Sequence, residues 1–394
     1  MDRRGFLRGA RAAATALAAG AALAACQPVG GGLGGLGGTS AGAAGGTVDA
    51  STPTRVALLV PGGGGTDGLL SSNLENAARL GLAQGGGSVD LAVYQTGGTP
   101  AGGQAAAQRA IAEGAALIIG PLYAQAANGA GLAAAQAGIN VLAFSNDTSI
   151  AGGNVFVLGP TFENTAQRLL SYASRQGRGR VIVTAEQGAR GDAAVAAVQT
   201  AAARSGATVV SAVRYVPGQA EIARAGDDVA ATARSAGADT VLYTSDPARG
   251  LTLMASAVRS AGLVPPEAQL LGLARWDVPA QTLSAPGLQG GWFTRPDPRR
   301  SAAFESAYQS AYGAAPHPLA FVGYDAALAA STLVATGRRD ALSGRSLTRA
   351  QGFDGGAGAF RLMPDGTISR ALAIAEVRGG QAVIVDAAPT GAGS

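Results

Sequence analysis

The 394-residue sequence contains no lysine, a single cysteine (Cys26) and a single histidine (His317), and only 5% of it is aromatic. Without lysine there is no phosphate-loop lysine and no amine for a Schiff base. One histidine and one cysteine cannot supply the nitrogen and sulfur donors of a zinc or iron site. His317 lies in Ala315-Pro-His-Pro318 with no serine or carboxylate at motif spacing, and there is no Gly-x-Ser-x-Gly elbow. A pair of carboxylates far apart along the chain is the hydrolytic arrangement left open. Charge is sparse, at 14% of residues, and no arginine cluster marks a nucleic-acid face. These absences point to a non-catalytic protein with no cofactor, no metal and no nucleic-acid partner.

What is present begins with a start typical of exported proteins. Arg3 and Arg4, then Phe6 and Leu7, precede an Ala-rich stretch ending in Leu23-Ala24-Ala25-Cys26. A basic start, an apolar run over residues 12–25 that is too short to span a bilayer, and small residues before a cut are the parts of a signal peptide, assigned to residues 1–25. The paired arginines resemble a twin-arginine export signal. Leu-Ala-Ala-Cys resembles a lipobox, which implies lipidation of Cys26 and a membrane anchor through the N-terminal lipid. Gln27, where an aspartate would imply inner-membrane retention, implies a periplasmic protein held at the outer membrane. Removing Arg3, Arg4, Arg8, Arg11 and Asp2 from 29 basic and 25 acidic residues leaves 25 against 24, so the mature chain is nearly neutral. Residues 26–52 include GGGLGGLGGTSAGAAGG and read as a Gly-rich tether of 27 residues, with a reach of roughly 30 Å.

From Arg55 onward, short β-branched runs alternate with Ala-rich amphipathic segments, the pattern of parallel sheets with crossover helices. One series starts with strand Val56–Val60 and helix Leu70–Ala83 and runs to Asn140–Ser145. A second starts after Val155-Phe-Val-Leu158 and runs to strand Gln269–Leu273. That is too much ordered chain for one core, so two domains are expected.

Several segments in order resemble the leucine-binding-protein type of periplasmic receptor. They are Arg55-Val-Ala-Leu-Leu-Val-Pro61, Asn76-Ala-Ala-Arg-Leu-Gly-Leu82, Ala116-Leu-Ile-Ile-Gly-Pro121, Val141-Leu-Ala-Phe-Ser145, Asp239-Thr-Val-Leu-Tyr243, Gly323-Tyr-Asp-Ala326 and Phe353-Asp-Gly-Gly-Ala-Gly-Ala-Phe360. The resemblance covers residues 53–387. It implies an α/β fold of two doubly wound parallel-sheet lobes joined by three crossovers, the type I periplasmic binding protein. Residues 53–158 with 292–345 would form one lobe and 159–291 with 346–387 the other, leaving 388–394 as a disordered tail. Ligand would lie between the lobes, where the loops after the strands converge.

In those loops the first lobe offers Thr66, Tyr123, Gln125, Ser145, Asn146, Asp147, Thr148 and Ser149, and the second offers Glu186, Gln187, Asp246, Arg275 and Trp276. Hydroxyls and amides at helix starts suit a small polar ligand, but the same residues also serve as helix caps without one. Glu186 and Asp246 are either cleft residues or solvated turn carboxylates. Trp276, flanked by Arg275 and Asp277, is either a cleft wall or core. Gly63-x-Gly65-x-x-Gly68 fits the dinucleotide fingerprint, but the acidic residue it requires, Asp90, is at the wrong end of its strand. Two further positions depart from the amino-acid-binding members. Pro121-Leu-Tyr-Ala-Gln-Ala126 replaces their serine run, and Arg249 falls where they carry an acid. With the anchor and tether, these departures favour a resemblance to penicillin-binding protein activator lipoproteins, whose partner is a peptidoglycan synthase. The alternative is the receptor of an ABC importer, with an ABC permease as partner and an amino acid or similar polar solute as cargo.

Overall fold

A computed structural model describes residues 45–391. The expected signal peptide, Cys26, most of the tether and residues 392–394 lie outside that range. The first series is β1 (Thr54–Val60), α1 (Gly65–Gly85), β2 (Val89–Gln95), α2 (Pro100–Ala112), β3 (Leu117–Ile119), α3 (Ala124–Gln136), β4 (Val141–Ala143) and β5 (Val155–Val157). Its strands form an all-parallel sheet in the order β2-β1-β3-β4-β5. The second series is α4 (Phe162–Arg175), β6 (Arg180–Glu186), α5 (Ala189–Ser205), β7 (Thr208–Tyr215), α6 (Gln219–Ala236), β8 (Thr240–Tyr243), α7 (Leu251–Ser260), β9 (Gln269–Gly272) and β10 (Trp292–Arg295). Its strands repeat the same order, β7-β6-β8-β9-β10. The chain then runs through α8 (Pro298–Tyr312), α9 (Phe321–Val334) and α10 (Gly344–Leu347). An antiparallel trio follows, β11 (Phe353–Gly355), β12 (Gly358–Leu362) and β13 (Ile368–Arg370). Finally β14 (Ala373–Arg378) and β15 (Gln381–Asp386) extend the second sheet antiparallel from the free edge of β10.

Each sheet is buried on both faces, which is why its strands read as unbroken apolar runs. In the first, α1 and α9 cover one face and α2 and α3 the other. Small residues set these contacts. A Cβ on Gly81 of α1 would collide with the Tyr324 carbonyl oxygen of α9, and one on Gly129 of α3 with the Pro100 carbonyl oxygen of α2. Backbones approach closely there, so alanine and glycine do the packing that aromatic side chains do elsewhere. In the second sheet, α6 and α7 cover one face and α4 and α5 the other. Helix α1 begins at Gly65, five residues before the apolar period that announces it, so Thr66 and Asp67 belong to its first turn.

Three sequence expectations are corrected. β10 pairs with β9 and β14, so the second crossover falls after Arg295 and residues 292–295 belong with the second sheet. Phe353, Phe360, Leu362 and Ile368 pack in the same core as β1, β3 and α9, so the chain stays with the first lobe until Arg370 instead of leaving at 346. The tether does not extend to residue 52. Val48 is 2% exposed in that core. Gly45, Gly46 and Val48 donate to the carbonyl oxygens of Gly138, Ala116 and Arg339 at 3.0, 3.2 and 3.0 Å. One valine in a glycine tract is enough to dock it. At the other end, Ala388 packs against Ala359 and Ala371. Among the described residues no helix is long and apolar enough to cross a membrane.

The crossovers converge on a buried ion pair. Arg370 Nη1 donates to Asp325 Oδ2 at 2.5 Å, with side chains 3% and 0% exposed. Arg370 also donates to the Leu158 carbonyl oxygen on the first crossover (3.4 Å) and lies between the rings of Phe321 and Phe360, 5.1 and 5.0 Å from their centroids. Its backbone is clamped from α4, where Asn164 accepts from Arg370 N at 2.9 Å and donates to Arg370 O at 3.1 Å. Burial pushes the Asp325 carboxyl above its usual range, against the opposing pull of Arg370 and the Gly356 N–H. Removing one partner of such a pair strands the other charge, so Asp325→Ala is expected to lower unfolding free energy by about 3–5 kcal/mol. Denaturant midpoints check this. A loss under about 1 kcal/mol would mean that carbonyl oxygens alone satisfy Arg370.

Candidate functional site

Between the lobes lies a cavity of about 520 Å³, within the range of small-molecule sites. The first lobe contributes Asn146, His317, Leu319 and Phe321. The second contributes Phe162, Arg190, Asp246, Leu273 and Arg275, and the crossover segments contribute Pro160, Pro296 and Arg370. Asn146, Phe162, Arg190, Asp246, Leu273, Arg275 and Pro296 follow the C-terminal ends of strands in the two sheets, the face at which open α/β sheets hold ligands, whereas His317 and Leu319 come from the α8–α9 connection and Phe321 from the start of α9.

Charge concentrates on the second-lobe wall. Arg275, in the loop after β9, grips Asp277 with Nε and Nη2 at 2.9 and 2.8 Å. Arg295, at the end of β10, brings its Nε to 2.8 Å from the same carboxylate. Arg190 pairs with Asp246 at 3.2 Å and lies 5.2 Å from the centre of the Phe162 ring. Arg249 sits between Asp246 and Glu186, at 3.8 and 3.9 Å. His317 accepts the Leu319 N–H at Nδ1 (3.1 Å), and burial lowers its pKa, so it is a neutral ring in the cavity wall.

The residues expected from sequence divide. Asn146 and Asp246 line the cavity. Glu186 lines a small neighbouring hollow with Arg190, Thr244 and Arg249. The rest of the 145–149 cluster is satisfied locally. Buried Ser145 accepts from Asp147 N at 3.1 Å, Asp147 caps Ser149 N at 2.9 Å, and Thr148 donates to Glu163 at 2.7 Å. Ser149, Thr66, Gln125 and Gln187 are exposed. Tyr123 is 38% exposed and donates to Asp67 at 2.7 Å, a bond that raises its pKa.

Trp276 is a correction, because it walls nothing. It is 0% exposed, stacked on Phe293 at 5.6 Å and tilted against Tyr243 at 6.2 Å. Gly272 and Gly291 leave room for its indole, since a Cβ on either would overlap the ring. Arg275 and Asp277 pair with each other beside the ring while the ring itself turns into the core, with the indole N–H left without an acceptor. The residues missed were Arg295, Arg370 and Phe321. Arg295 carried a faint signal as a charge closing the apolar strand Trp292-Phe-Thr. Trp276→Ala is expected to cost about 3–5 kcal/mol of stability, read by thermal unfolding. A cleft wall would instead leave stability nearly intact.

Comparison with known proteins agrees with this geometry. A family model described as periplasmic binding protein matches residues 53–382. Among solved structures, a putative branched-chain amino acid ABC transporter protein from Rhodospirillum rubrum has a TM-score of 0.70 at 19% identity, covering 85% of this chain and 100% of that one. An ABC transporter substrate-binding protein from Desulfitobacterium hafniense, in complex with Leu, has a TM-score of 0.63 at 20% identity over 84% and 100%. A solute-binding protein of an ABC transporter from R. palustris, in complex with benzoate, has a TM-score of 0.56 at 18% identity over 86% and 97%. No curated protein matches. With the family model spanning most of the sequence and both lobes in place, the chain belongs to the periplasmic binding protein family.

Proposed function

We propose that this protein is the solute-binding receptor of an ABC importer, holding a small organic molecule between its lobes and presenting it to a permease in the membrane. The observation that carries this reading is the open cleft of about 520 Å³, lined by both lobes and by the segments that join them. Support comes also from the structural relatives, which are described as transporter proteins and two of which hold Leu or benzoate. On this reading the protein binds without catalysis, in the periplasm. Lipid attachment at Cys26 would keep the receptor near its permease if the anchor sits in the inner membrane, not in the outer membrane that Gln27 implies. The anchor, the tether and the two loops that depart from the amino-acid-binding members favour a peptidoglycan synthase activator; the anchor and tether suit a tethered receptor as well, and the altered loops suit a receptor whose solute is not an amino acid. The cavity and the relatives support the receptor over the activator.

A thermal-shift screen of the purified chain against amino acids, aliphatic and aromatic acids and small polar solutes tests this. A ligand at a hundredfold excess over its Kd is expected to add about 2.7 kcal/mol and raise the midpoint by several degrees. A cooperatively folded chain that no solute class shifts would count against the receptor, and binding to a peptidoglycan synthase in the same preparation would count for the activator.

A further inference from the structure

The cavity wall has more guanidinium than carboxylate. Arg190, Arg275, Arg295 and Arg370 line it, and three carboxylates answer them. Asp246 pairs with Arg190, Asp325 with Arg370, and Asp277 is shared by Arg275 and Arg295. Arg249 and Glu186 add one charge of each sign at the margin. One positive charge is left over, and it falls at the Asp277 cluster.

Within that cluster the two arginines are not equivalent. Arg275 holds Asp277 through two hydrogen bonds. Arg295 only approaches it, since its Nε lies 2.8 Å away but its N–H is not aimed at the oxygen. The terminal nitrogens of Arg295 meet no acceptor among the described residues, and its side chain is 30% exposed. Two parallel N–H donors on a planar guanidinium match the two oxygens of a carboxylate. A protonated amine at this wall would meet the excess positive charge, and every carboxylate there is already engaged by arginine. The cavity also has an apolar lining, with Leu319 and Phe321 from the first lobe and Phe162 from the second.

We propose that the solute is a compact monocarboxylate without a charged amine. Its carboxylate is taken by the terminal nitrogens of Arg295, and its apolar body lies against Phe162, Leu319 and Phe321. This inference rests on the receptor reading and narrows it, because it sets the cleft against amino-acid zwitterions.

Calorimetry on the purified chain tests it with two sets of probes sharing a skeleton. These are phenylacetate, phenylacetamide, phenethylamine and phenylalanine, and isovalerate, isovaleramide, isoamylamine and leucine. In at least one set the carboxylate is expected to bind about tenfold or more tightly than its amide, amine and amino acid. Arg295→Gln should remove that advantage, and Arg295→Lys, which keeps the charge but not the paired donors, should retain part of it. Unfolding midpoints of both variants establish that they fold. An amide, amine or amino acid that binds as tightly as its carboxylate overturns the inference and leaves the receptor standing. Full carboxylate affinity in Arg295→Gln does the same. If a folded chain binds none of the eight, the inference and the receptor reading for solutes of this size both fall.

Discussion

The arrangement of the two lobes depends on one buried charge pair. Arg370 and Asp325 sit where the connecting segments meet, and Arg370 reaches the first crossover through Leu158 while α4 of the second lobe clamps its backbone through Asn164. An ion pair this deep gains little net stability over an apolar contact of the same shape, because both ions have left water. Its value is positional. A guanidinium sandwiched between Phe321 and Phe360 and tied to four chain segments has one place to be. The same residue lines the cleft, so the joint between the lobes and the wall of the site are built from one side chain.

The two lobes share a strand order and divide the work differently. First-lobe loops at the cleft mostly satisfy themselves, with serine, threonine and aspartate closing local hydrogen bonds. Second-lobe loops leave arginines in excess of carboxylates, so that face carries the electrostatic character of the cavity. The first lobe answers with Leu319 and Phe321 and a neutral His317.

Much of this fold was legible in the sequence. β-branched runs bounded by glycine mark strands wherever a sheet is buried on both faces, and both parallel series were readable. The lobe boundaries were harder. Nothing local distinguishes β10 as the fifth strand of the second sheet, and the core role of Phe353 and Phe360 follows only from where α9 lies. The site was less legible still, because its charges come from distant positions. Arg370 and Leu158 are 212 residues apart. Polar flanks made Trp276 look like a cleft residue, although the loop turns its ring inward. Capping and ligand binding favour the same residue types, so the 145–149 cluster could be read either way until its hydrogen bonds were seen.

The close approach of α1 and α9 reaches beyond packing. Gly81 lies under the carbonyl of Tyr324, the residue immediately before Asp325. The missing side chain therefore acts as a zero-thickness shim. It sets the height at which α9 rests on α1, and with it the depth at which the carboxylate meets Arg370. A single methyl group at Gly81 would lift that seat from below, so the seating of the ion pair is tuned by an atom the chain does not have.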